Sequence, residues 1–160
     1  MSCKASTGFR TRLLGRESVE DILGGGVMRV YSGAQPANAD TEAGGLLLGT
    51  VTLGGWPWHG DDTGFGLHFR QAGIYTVNAP SAEPWTLRTV EPGTAGWFRL
   101  LAPEAVESAD DASLSAARID GSVGVAGSGA DLILTAADLG LGQAVPIDSF
   151  TYVLLPYPGT

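Results

Sequence analysis

Between Val27 and Pro156 the sequence is broken at short intervals by Gly, Pro, Asp and Asn, and the runs between the breaks have the alternating character of strands. That punctuation is the strongest constraint on the fold. A parallel α/β sheet needs a crossover of a dozen or more residues between neighbouring strands, and the chain has no room for such helices. Short strands joined by tight turns fit instead, in keeping with 24 glycines and 9 prolines among 160 residues. Only 16% of residues are charged, below the roughly 25% usual for soluble domains. A helical bundle needs more Lys, Glu, Gln and Arg on its exposed faces.

The strand candidates are VMRVYSG (27–33), LLLGTVTL (46–53), GLHFRQAGIYTV (66–77, bent at Gly73), WTLRTV (85–90), GWFRLLA (96–102), ARIDGSVGVA (117–126), DLILTAADL (131–139) and DSFTYVLLP (148–156). Together they predict an all-β fold, a β-sandwich or jelly-roll-like barrel over residues 27–160. On the period-two alternation of the last third, Ile119, Val123, Leu132, Leu134, Ile147, Phe150 and Val153 are expected in the core. The acidic, small-residue stretch PEAVESADDASLSA (103–116) reads as an exposed loop.

Helical spacing occurs only before Gly24. Residues 9–23 place Phe9, Leu13, Leu14, Val19, Ile22 and Leu23 on a helical period, with Gly15 as a possible division, Ser18 and Asp21 as a capping box, and Gly24 to Gly26 as the stop. Residues 1–26 are therefore expected to form an N-terminal arm, marginally structured alone and separable from the body. Its charge supports that reading: residues 1–30 carry a net +2 against −10 for residues 31–160, within a total of −8. Phe9, Arg10, Arg12, Leu13, Leu14 and Arg16 are the arm residues suited to docking on an acidic neighbour.

The acidic body makes nucleic acid an unexpected partner. No apolar run reaches the length of a membrane span, no signal peptide is apparent, and Cys3 is the only cysteine, so no intrachain disulfide can form. Synthesis in the cytoplasm is the expectation.

His59, Asp61 and Asp62, in the turn WPWHGDDTG, form the best polar cluster for a metal or a general base, but one further histidine, His68, and one distant cysteine give them little support. The serines offer no G-x-S-x-G elbow. The glycine-rich stretches lack the Lys of a phosphate-binding loop and the helix of a dinucleotide site. Asp110, Asp111 and Asp120 lack calcium-loop spacing. No catalytic residue, metal or cofactor is assigned. Trp85 and Trp97 lie in strand-like runs and are expected in the core; Trp56 and Trp58 flank Pro57 in a loop and are candidates for an interface.

Several segments resemble a family of small structural proteins of tailed bacteriophages and prophages: GGGVMRVYSGAQPANAD (24–40), GLHF (66–69), EPW (83–85), GTAGWFRL (93–100) and ARIDGSVGVAGSGADLILTAADLGLGQAVPIDSFTYVLLP (117–156), the last with one extra leucine before Pro156. The resemblance implies a non-enzymatic virion protein made in a bacterial cytoplasm. The expected role is capsid decoration, a cement protein on the lattice of the major capsid protein, that oligomerises and binds neither nucleic acid nor membrane. A neck, collar or tail component of the same particle and a carbohydrate-binding module using Trp56, Trp58 and His59 are the alternatives.

Overall fold

A computed structural model describes residues 3–59, 63–74 and 76–154. In chain order the elements are β1 (Lys4–Ala5), α1 (Thr7–Leu14), α2 (Val19–Leu23), β2 (Val27–Ser32), β3 (Leu47–Leu53), β4 (Arg70–Gln71), β5 (Thr76–Asn78), β6 (Trp85–Thr89), β7 (Gly93–Leu101), β8 (Arg118–Val125), β9 (Leu132–Leu134), β10 (Asp138–Leu139) and β11 (Ala144–Val153). Short 3-10 turns cover Thr63–Phe65 and Pro103–Ser108.

The all-β expectation holds, and the barrel form is the one realised. Strand pairing runs β8-β7-β2-β3-β6-β11 and returns to β8 through β9, which closes the sheet on itself. Closure removes the edges an open sheet would expose. A ring of seven strands cannot be antiparallel throughout, because the number of direction reversals around it must be even. The single parallel pair is β8 with β9, Val123 opposite Leu132. It is short enough to be joined by residues 126–131 without a helix, and Asp131 pins that loop by accepting from the Ser122 N–H and hydroxyl, each at 3.0 Å. The β4–β5 hairpin extends from the end of β11, and the expected bend at Gly73 is its turn.

Inside the barrel, Met28, Val30, Val51, Leu87, Phe98 and Leu100 are fully buried. Phe150 sits among Trp85, Phe98 and Phe69, with ring centroids at 5.3, 5.8 and 6.2 Å. Phe150→Ala should therefore cost about 3–5 kcal/mol, read from the midpoint of a denaturant titration; a loss under about 1 kcal/mol would place the ring outside the core. Ile119, Val123, Leu132 and Leu134 are buried as expected, and Ile147 packs half-buried against the same cluster. Val153 does not: it is 43% exposed. A bulge between Ile147 and Ser149 shifts the register, so the inward set passes from Val145 and Ile147 to Phe150 and Tyr152.

The N-terminal segment is a correction. The two helices meet at Gly15 and the Ser18–Asp21 capping box forms as the sequence suggests, but they belong to the body. Phe9 is fully buried, as are Ile22 and Leu23, and β1 pairs with β8. The buried Ser6 hydroxyl caps α1 by accepting from the Phe9 N–H, accepts from the Arg118 N–H and donates to the Ala116 carbonyl. A Cβ at Gly8 would lie 2.3 Å from the Ser115 carbonyl oxygen, so only glycine lets α1 approach this closely. Phe9 is thus unavailable to a partner. Arg10, Leu14 and Arg16 face solvent, Leu13 packs partly on the core, and Arg12 pairs with Glu17 and Glu104.

The stretch 103–116 is a second correction. Ala105, Val106, Ala109 and Ala116 are buried, because this segment lies across the outer face of β2, β7 and β8. Beneath it Tyr31 stacks on Trp97 at 4.5 Å and donates its hydroxyl to Asp110 at 2.6 Å. Small residues let the segment lie flat, and the fully buried Arg99 and Arg118 tie down its carbonyls at Ala109 and Ser108.

Candidate functional site

Strand pairing sets Arg29 of β2 beside Thr50 of β3, and Thr50 beside Arg88 of β6. All three point outward, since their neighbours Met28, Val51 and Leu87 fill the barrel. This row forms the floor of a groove of about 540 Å³, mostly apolar, whose walls include Val27, Trp56, Pro57, Trp58, Val90 and Val106.

The tryptophan wall is held in place from several sides. Gly54 (φ 67°) and Gly55 (φ 73°) turn the chain out of β3 through left-handed conformations that other residues adopt only with strain. The Thr52 hydroxyl then donates to the Trp56 carbonyl at 2.7 Å, and the Trp58 indole N–H donates to the Gly25 carbonyl at 2.9 Å. Trp58 is half-buried, whereas Trp56 is 60% exposed and leans on Phe65 with centroids 6.2 Å apart. Holding a large aromatic surface open to water lowers the entropy cost of using it as a contact.

Comparison with known protein families, curated proteins and solved structures gives no match to this chain.

The electrostatics of the groove follow from its floor. Arg29 has one weak ion pair, its Nη1 at 3.6 Å from Asp110 Oδ2, and its buried Nε has no hydrogen-bond partner. Arg88 is exposed, and no ion pair or hydrogen bond holds its guanidinium among the described residues. Among the described residues no carboxylate lines the groove. In a chain of net charge −8 this is a local reversal of sign.

The other sequence candidates that the structure describes do not converge here. His59 is exposed, and Asp61 and Asp62 lie outside the described residues. His68 contacts Glu20 through Nδ1 at 2.7 Å, while the other oxygen of that carboxylate accepts from the Phe69 N–H at 2.6 Å, so the pair fastens α2 to the segment before β4. Burial, followed by the nearby Asp131 carboxylate, pushes the Cys3 thiol well above its usual range, which leaves it a poor nucleophile. Among the described residues no three His, Cys, Asp or Glu side chains gather where they could hold a metal ion. A second hollow of about 320 Å³ lies where Val19, Phe69, Ile74 and Leu154 meet at the β4–β5 hairpin.

Trp56 and Trp58 were visible in the sequence as loop tryptophans beside a proline. Arg29, Thr50 and Arg88 were not, because alternation shows that a residue points outward but not which outward residues become neighbours.

Proposed function

We propose that the chain is a non-enzymatic structural component of a tailed bacteriophage virion, a capsid decoration protein that docks its barrel on the lattice of the major capsid protein. The observation that carries this reading is the fixed, exposed Trp56 beside two arginines in an apolar groove on the barrel wall. Tryptophan and arginine are the side chains that most often dominate binding energy at protein interfaces. A closed barrel gives them a rigid platform, and contact of this kind requires shape and area without an active centre. The sequence resemblance to phage structural proteins supports the choice of particle. With Phe9 committed to the core, docking falls to the groove, and α1 can add its outward Arg10, Leu14 and Arg16.

Quantitative mass spectrometry of purified particles is expected to find the chain in fixed proportion to the major capsid protein, and particles assembled with Trp56→Ala should have lost it. Absence of the chain from particles would end this reading. A few copies per particle, with immunogold label at one vertex, would move the protein to a neck, collar or tail position. A carbohydrate-binding module is the second reading, favoured by the exposed indole face; it requires glycan-array binding that Trp56→Ala abolishes.

A further inference from the structure

We infer that the Trp56 groove receives an acidic segment of the partner protein, one that presents a carboxylate next to an apolar side chain. This rests on the docking role proposed above and adds the chemistry of the partner. Arg29 and Arg88 stand two strands apart in one register row, roughly 10 Å between backbones, with the Thr50 side chain between them. The chain already shows how that row meets an acid, since Asp110 approaches Arg29 from the side of the 103–116 segment. Arg88, at the other end, has no such partner among the described residues, and its planar fork suits a carboxylate bidentately.

Apolar surface fills the rest of the groove: Trp56 and Trp58 on one wall, with Val27, Val90 and Val106 close by. A carboxylate on Arg88 therefore places an adjoining Leu, Pro or aromatic side chain against the indoles. A neutral peptide would leave Arg88 covered and unpaired, which is costly, and a basic one would be repelled. Residues 31–160 carry a net −10 with Arg88 included, so most of that surface disfavours an acidic partner and the field favours this groove.

The test is selection of random short peptides from a display library on the full-length chain, followed by fluorescence anisotropy with a labelled, enriched peptide. Enriched sequences should carry Asp or Glu within a residue or two of Leu, Pro, Trp or Phe. Trp56→Ala and Arg88→Glu should each weaken binding about tenfold or more, and added salt should weaken it as well. Both side chains are exposed, so these variants fold; Arg70→Glu, on β4 outside the groove, should bind as the parent does. The inference is overturned by enrichment of neutral or basic peptides, by no enrichment, or by an Arg88→Glu variant that binds unchanged. Self-association that Trp56→Ala removes would overturn it too, by giving the groove to a second copy. Each of these outcomes leaves particle membership to be decided by mass spectrometry of virions.

Discussion

A chain lacking residues 1–23 is expected to lose cooperative folding, although the amino-acid pattern alone suggests a detachable arm. Three side chains leave the core with that segment, Phe9, Ile22 and Leu23, each essentially inaccessible to solvent. Truncating a buried Phe to Ala costs about 3–5 kcal/mol, and a buried Leu or Ile about 2–5 kcal/mol. Losing all three together reaches the scale of the whole stability of a domain, about 5–15 kcal/mol. Polar contacts go too: Thr7 donates to Asp40 from its N–H at 2.7 Å and its hydroxyl at 2.6 Å, and Lys4 donates to the Pro36 carbonyl at 2.8 Å. The loop between β2 and β3 would keep its bonds to Arg118, Asp110 and Ser113 but lose these. The single change Phe9→Ala should lower stability by about 3–5 kcal/mol, read by chemical denaturation, and the deletion should abolish the near-ultraviolet circular dichroism of the packed aromatics. A truncated chain that melts at the parent's temperature would restore the arm.

Local signals were legible because they act over a few residues. Gly15 divides the helices, Ser18 and Asp21 close the capping box, and Gly73 turns the hairpin, each where sequence chemistry puts it. Trp85 is buried inside the barrel as its strand pattern suggests, whereas Trp97 is buried on the outer face by the 103–116 segment. What stayed hidden depends on which distant segments meet. Phe9 and Leu13 have the spacing of any amphipathic helix, and nothing in that spacing says whether the apolar face packs on its own barrel or on another protein. The bulge that turns Val153 outward depends on pairing with β9, whose register no local pattern fixes. The groove required both a register row and a loop folded over it, so only its tryptophans announced themselves. Residues 103–116 misled for a different reason: their acids face solvent while their alanines pack, and Ala carries too little hydrophobic signal to mark a buried face.

Arg99 was the least visible of these, and its loss should be among the most damaging changes. It appears in the sequence as an ordinary strand arginine, yet it is fully buried, with Nε and Nη2 each 2.8 Å from the carboxylate of an equally buried Asp120. Its Nη1 donates to the Ala109 carbonyl at 3.0 Å, and its guanidinium carbon lies 5.4 Å from the centre of the Trp97 ring. Burial pushes the Asp120 carboxyl above its usual range, while Arg99 pulls it back by hydrogen bonding and charge. Arg99→Met removes that contribution, leaves only the charges of Arg118 and Lys4 to oppose burial, and strips the buried carboxylate of its bidentate partner, for which about 3–5 kcal/mol of stability is the expected loss at neutral pH. The sign of the pH dependence follows. With its folded-state value raised further, Asp120 favours the folded variant only when protonated, so the deficit against the parent should shrink as pH falls and grow as pH rises through that raised value. The double change Arg99→Met with Asp120→Leu removes both charges and should recover most of the loss. Denaturant titrations across pH decide the matter: a deficit independent of pH, or a double variant no better than the single one, would remove the buried pair from the account. The consequence extends to the groove. Arg99 holds the 103–116 segment at Ala109, and that segment supplies both Val106 to the wall and Asp110 to Arg29. The single variant should therefore bind an acidic peptide less well than the parent even under conditions where it remains folded, because the segment that shapes the groove has lost one of its tethers, with those from Arg118 and Tyr31 remaining.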